Sequence, residues 1–102
     1  MIARIWHGWT TPQNADTYEE FLRTTMFPSI RRVEGFLGAD LLRRDEHGEV
    51  AFITITRFDS LDAVKRFAGD DYERGVVEQE ARQLLSRFDV RSAHYELVID
   101  RA

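Results

Sequence analysis

The sequence predicts an α+β fold, a βαββαβ chain whose four strands form one antiparallel sheet packed against helices. Three observations lead there. Residues 2–9 and 89–99 alternate in polarity with a period of two, as half-buried strands do. Residues 36–44 and 49–58 flank Asp45-Glu46-His47-Gly48, where Gly48 supplies the positive φ of a hairpin turn. Between these strands, apolar side chains recur at helical spacing. The order β-α-β-β-α-(α)-β is the ferredoxin-like split βαβ arrangement, whose usual strand order is 4-1-3-2.

The opening strand, "RIWHGW" with its flanks, places Arg4, Trp6 and Gly8 on one side and Ala3, Ile5, His7 and Trp9 on the other. Thr10-Thr11-Pro12-Gln13-Asn14 breaks it and offers helix caps. Tyr18, Phe21, Leu22, Thr25 and Met26 form the inner stripe of the first helix, with Asp16 and Glu19 at capping-box distance. Pro28 lacks the amide proton and crowds the preceding turn, so it kinks or ends that helix, with a short continuation to Val33 and a stop at Gly35. After the hairpin, Asp59-Ser60-Leu61-Asp62 starts a second helix with Leu61, Val64 and Phe67 inward, closed by Gly69. Val77, Ala81, Leu84, Leu85 and Phe88 describe a third.

At 102 residues the chain is a single domain, 1–102, able to bury roughly 65% of its unfolded surface. It has no cysteine, so disulfides, thiolate nucleophiles and thiolate metal sites are excluded, which suits a reducing cytoplasm. No signal peptide is expected, since Arg4 and His7 interrupt the only apolar start, and no membrane-spanning stretch. A net charge of −4 argues against nucleic acid as a partner. Three scattered histidines show no metal-ligand spacing, and the glycines never form a phosphate cradle.

Ranked by hydropathy, Ala3, Ile5, Leu37, Ala39, Leu41, Ile53, Ile55, Ala93, Tyr95, Leu97 and Ile99 are expected under the helices. Arg4, Trp6, Asp40, Leu42, Phe52, Thr54, Thr56, His94 and Glu96 are expected on the opposite face. That second face is too apolar to meet water. A second copy covering it, with two sheets closing a dimeric α/β barrel, is the simplest expectation.

Four stretches, "IARIWHGWT", "GFLGADLLRR", "AFITITRFDSLDAVKRFAGDD" and "VRSAHYELV", carry a resemblance that spans nearly the whole chain. The sequence resembles the antibiotic biosynthesis monooxygenase group of the dimeric α/β-barrel proteins. The resemblance implies a homodimer with a pocket between sheet and helices, and oxygenation of flat aromatic polyketides or quinols without metal or flavin. Oxygenases of this group often carry tryptophan at the end of the third strand, where this chain has Phe58. The haem-degrading branch uses a helix histidine and a first-strand asparagine, and this chain has neither in those elements.

The candidate site follows from strand alternation. His94 and Glu96 share a face beside Arg4 and Trp6 if the last strand pairs with the first. In this reading His94 is the base that deprotonates a phenol or carbon acid, and Arg4 stabilises the resulting oxyanion. An Arg4–Glu96 ion pair beside a structural histidine is the alternative. Trp6 stacks on the ligand, and Phe52, Thr54, Thr56 and Glu96 contact it. His7 is expected to be structural, toward the helices. The reading requires no metal or cofactor. Its alternatives are a non-catalytic small-molecule-binding or interaction dimer, and a cofactor-free isomerase or lactonase.

Overall fold

In the computed structural model, which describes Met1–Ala102, the first strand, β1 (Ile2–Thr10), is the central one. It pairs antiparallel with β3 (Glu49–Phe58), with Arg4 opposite Thr56 and Trp6 opposite Thr54. β2 (Phe36–Glu46) lies beyond β3, joined through a turn at His47-Gly48 whose φ values are 50° and 81°. Positive φ at both positions matches the twist of a tight hairpin.

The other edge of β1 is shared by two short antiparallel strands. β4 (Leu85–Phe88) runs against Gly8–Thr10, and β5 (Ala93–Glu96) against Ile2–Ile5. The expected strand order is present, but two strands stand where one closing strand over 89–99 is expected, so the sheet has five. The first of them uses residues whose spacing had suggested the end of the third helix. The break between the two comes from competition for backbone partners. Val90 accepts from the Gly75 amide at 2.7 Å, and the Ser92 amide donates to Glu73. The chain at 89–92 thus leaves β1 to bond the 73–75 segment.

Helix α1 (Pro12–Phe21) is capped by Thr11, whose hydroxyl accepts from the Asn14 amide at 3.3 Å, with Pro12 at the first position. Asp16 and Glu19 do not form a capping box, since both reach across to Arg43 at 3.0 Å. Leu22–Met26 then widens into a π-helical turn before α2 (Phe27–Ile30). The kink expected at Pro28 takes this form. In the wider turn the Phe27 amide bonds Leu22, and the helix passes the proline instead of ending at it. Helix α3 (Leu61–Ala68) is capped by Ser60, which accepts from the Ala63 amide at 3.2 Å. The next helix, α4 (Gln79–Leu84), is shorter than its apolar spacing suggested, because Leu85 is already extended and begins β4.

The helices cover the face opposite to the one hydropathy indicated for β1, β3 and β5. Along β3, Val50, Phe52, Thr54, Thr56 and Phe58 are buried, while Ala51, Ile53 and Ile55 are only half-buried. Phe52 packs with Ala15, Tyr18 and Phe21 of α1, and Phe58 with Ala63 and Val64 of α3. Ile5, His7 and Trp9 therefore line the open face, and Tyr95 and Ile99 are 58% and 72% exposed. On β2 the expected phase holds, since Leu41 stands opposite Thr54 and Leu42 opposite Ile53. A bulge between Phe36 and Gly38 takes Leu37 out of the expected set and leaves it half-exposed.

Gly35 marks where helix, strand and α3 meet. Its φ is +92°, and a Cβ there would stand 2.5 Å from that of Ala63, which is fully buried. Gly48 has a similar φ of +81° but open space around it. Gly48→Ala should therefore cost about 1–2 kcal/mol, the left-handed penalty alone. Gly35→Ala adds overpacking and should cost about 3 kcal/mol or more. Urea unfolding of both variants checks this, and equal losses would remove the packing argument.

Candidate functional site

Between the sheet and α1, the π-helical turn, α3 and the 76–78 segment lies an inner cavity. Its volume is about 40 Å³, counted as space open to the centre of a water molecule. Common ligand pockets hold about 300–1,000 Å³, far more than this. Arg4, Trp6, Tyr18, Thr54, Thr56 and Ser92 belong to its wall. An outer groove of about 280 Å³ shares Met26, Phe67, Val76 and Glu78 with it and extends to Ile30 and Arg66. The inner space alone is too small for the flat ligand expected from sequence, and such a ligand also needs the groove.

Arg4 is the polar centre of the wall. It is 4% exposed, and no ion pair of the chain includes it. One terminal nitrogen donates to the Tyr72 carbonyl and to His94 Nε2 at 2.9 Å, and the other donates to the Arg74 carbonyl at 2.9 Å. Its guanidinium also lies 5.5 Å from the centre of the Phe67 ring. Burial pushes its pKa down to about 10, which leaves it a cation at neutral pH.

His94 stands beside Arg4, as strand pairing predicted, with the two directly opposite in register. It lies behind the guanidinium, however, and is absent from the cavity wall. Arginine only donates, so Nε2 must be unprotonated and the ring proton sits on Nδ1, which is buried without a partner. Burial lowers the His94 pKa first, the Arg4 charge second, and Glu73 pulls it back up. The ring is thus held neutral, but its basic nitrogen is already engaged by Arg4.

Trp6, Thr54 and Thr56 line the cavity as expected. The Trp6 indole donates to the Asp89 carbonyl at 2.7 Å. It folds over Gly8, where a Cβ would come within 3.0 Å of the ring. Phe52 is displaced from the site, buried under α1 with its ring 4.9 Å from that of Tyr18. Glu96 is exposed, opposite Ile2, and makes no contact with Arg4, so the ion pair considered for them does not form. His7 is on the open face, its ring centre 6.2 Å from that of Trp9, and not toward the helices.

Tyr18, Phe67 and Ser92 are wall residues that sequence reasoning did not assign to the site. Ser92 had a signal, because it precedes His94 by two and so shares its side of an extended chain. It is 6% exposed, and its hydroxyl has no partner in the chain.

The sequence profile described as antibiotic biosynthesis monooxygenase matches residues 1–79. Similar solved structures include Rv0793 from Mycobacterium tuberculosis, at 19% identity and TM-score 0.66, covering 99% of this chain and 98% of that one. The haem degrader MhuD from Mycobacterium tuberculosis, with two haems bound in its active site, is similar at 20% identity and TM-score 0.62 over 100% of both chains. SnoaB, a cofactor-independent oxygenase from Streptomyces nogalater, is similar in its N63A mutant at 20% identity and TM-score 0.56, over 99% of this chain and 93% of that one. No curated protein matches the chain.

The half-buried neutral histidine makes stability depend on pH. With its folded pKa below 6.5, the unfolded chain binds the proton more readily. Stability contributed by His94 is therefore complete above about pH 7 and falls as pH drops through the unfolded value. His94→Gln should flatten the thermal-stability profile between about pH 7.5 and 5, and an unchanged profile would show that the ring is not held neutral.

Proposed function

Because this chain belongs to the antibiotic biosynthesis monooxygenase family, we propose that it oxygenates a flat aromatic carbon acid or quinol without a bound cofactor. The observation that carries the reading is a buried guanidinium in the wall of an otherwise mainly apolar cavity. The ligand ring enters through the outer groove, against Phe67 and Met26, and its oxygen approaches Arg4. Loss of the acidic proton leaves an enolate or phenolate, whose charge develops beside that fixed cation. The electron-rich anion passes one electron to dioxygen. The resulting radical and superoxide combine to a peroxide, which loses water. For an anthrone the sum is anthrone plus O₂ giving anthraquinone plus H₂O.

His94 takes a positioning role here instead of that of the base. It holds one Arg4 nitrogen in place, while the cation makes the ligand acidic enough for water to remove the proton. A haem does not fit the residues present. No histidine lines the cavity or the outer groove to ligate its iron.

A second copy of the chain covers the open face in this reading. Leu42 is 50% exposed there and Tyr95 58%, beside half-buried Ile5, Ile53 and Ile55. Apolar side chains left exposed on one sheet face, with the Arg57–Asp40 pair among them, are what an isologous partner buries. Leu42→Glu should lower the mass seen by light scattering toward that of one chain, and an unchanged mass would count against this interface.

Oxygen uptake with an anthrone and a naphthohydroquinone tests the chemistry. Arg4→Met should lower kcat/KM by about 100-fold or more, and His94→Gln by about tenfold. Turnover of neither compound, or an Arg4→Met variant within about threefold of the parent, would overturn the oxygenase reading. A non-catalytic binding dimer would then be favoured by the narrowness of the inner cavity. Anaerobic conversion of the ligand would point instead to isomerase or lactonase chemistry.

A further inference from the structure

Two polar groups in the cavity wall are left incomplete by the chain itself. Arg4 carries five N–H donors, of which three are committed to Tyr72, Arg74 and His94, so two find no acceptor in the protein. It has no carboxylate partner although it is 4% exposed. The Ser92 hydroxyl, in the same wall, is buried with no hydrogen-bond partner. A buried cation without a counter-charge is costly, and so is an unpaired buried hydroxyl. One acceptor group carrying a negative charge answers both.

We infer that the cavity is built for a ligand that arrives as an aromatic carboxylate, with its carboxylate held between Arg4 and Ser92 and its ring directed outward. This rests on the reading of the cavity as a ligand site and adds the charge and orientation of the ligand. The dimensions agree in direction, since the inner space, at about 40 Å³, is small enough to take the charged group and not the ring. The ring then lies in the outer groove, between Met26 and Phe67. That groove carries Glu78 at the shared rim and Arg66 further out. The acidic rim disfavours a second negative charge at that point, so the ligand is a monoanion whose charged end is the inner one.

Calorimetric titration with 2-naphthoate and with the neutral 2-naphthamide, without oxygen turnover, tests this. The carboxylate should bind at least about tenfold more tightly, the worth of one charged hydrogen bond. Ser92→Ala should weaken 2-naphthoate by about threefold to tenfold and leave 2-naphthamide little changed. Since Arg4→Met removes a buried anchor, Ser92→Asp provides a variant that does not depend on losing it. The new carboxylate supplies the missing charge from the chain, so the melting temperature should rise and 2-naphthoate binding should disappear. Equal affinity for the two naphthalenes, binding of neither, or a Ser92→Asp variant that melts lower and still binds 2-naphthoate overturns the proposal. The outcome is separable from oxygenation: anthrone turnover without carboxylate preference fails this inference alone, and carboxylate binding without oxygen uptake fails only the oxygenase reading.

Discussion

Arg4 joins three segments that lie far apart in the chain. It projects from the central strand, donates to the carbonyls of Tyr72 and Arg74, and meets His94 from the closing strand at 2.9 Å. A guanidinium taken out of water loses hydration worth several kcal/mol, and carbonyl dipoles plus one neutral imidazole return only part of it. The site follows from that shortfall. His94 must remain neutral to accept the Arg4 proton, and the 72–74 backbone must stay close to the sheet. A lysine would not serve, because a single ammonium has no planar fork to reach two carbonyls and a ring nitrogen at once.

The sheet divides its side chains in a way that supports this centre. The helix side carries aromatic residues at its ends, Phe52 and Phe58, and threonines between them. The phenylalanines anchor α1 and α3 through the contacts of Tyr18, Ala63 and Val64. Thr54 and Thr56 are shorter, and they line the gap that becomes the cavity. The branched aliphatic residues go to the other face. The chain thereby leaves its greasier side half-exposed.

That division also explains what was legible in the sequence. Alternation and turn residues locate β1, the hairpin and β5, and the adjacency of Arg4 and His94 follows from register alone. Hydropathy ranking misplaces the faces, because it assumes that the most apolar stripe belongs to the chain's own core. Here the helices sit on the less apolar face, so the ranking assigns Ile53 and Ile55 to the core and leaves Thr54 and Thr56 open. β4 was hidden for a different reason. Leu85 and Phe88 continue the apolar spacing of α4, and the break after them is caused by hydrogen bonds from Gly75 and to Glu73, in a segment with no periodic pattern of its own. Phe52 and Glu96 left the site because strand alternation fixes the face but not the position along it.

The 69–78 segment decides how large the cavity is. No residue between Val64 and Ala81 is fully buried, so this part of the chain has little apolar anchorage. It is held by polar links instead: Arg4 to two of its carbonyls, Gly75 to Val90, and Glu73 to Ser92. Gly75 also lies against the Trp6 indole, where a side chain would come within 2.7 Å of the ring nitrogen. Sheet strands of this register resist displacement, since moving one breaks a whole ladder, whereas these links are few and end on groups able to accept other partners. Val76 and Val77, which wall the cavity, thus sit in its least anchored part. The same Arg4 that holds this segment also lines the cavity, so one side chain serves both the segment's position and the polar character of the wall.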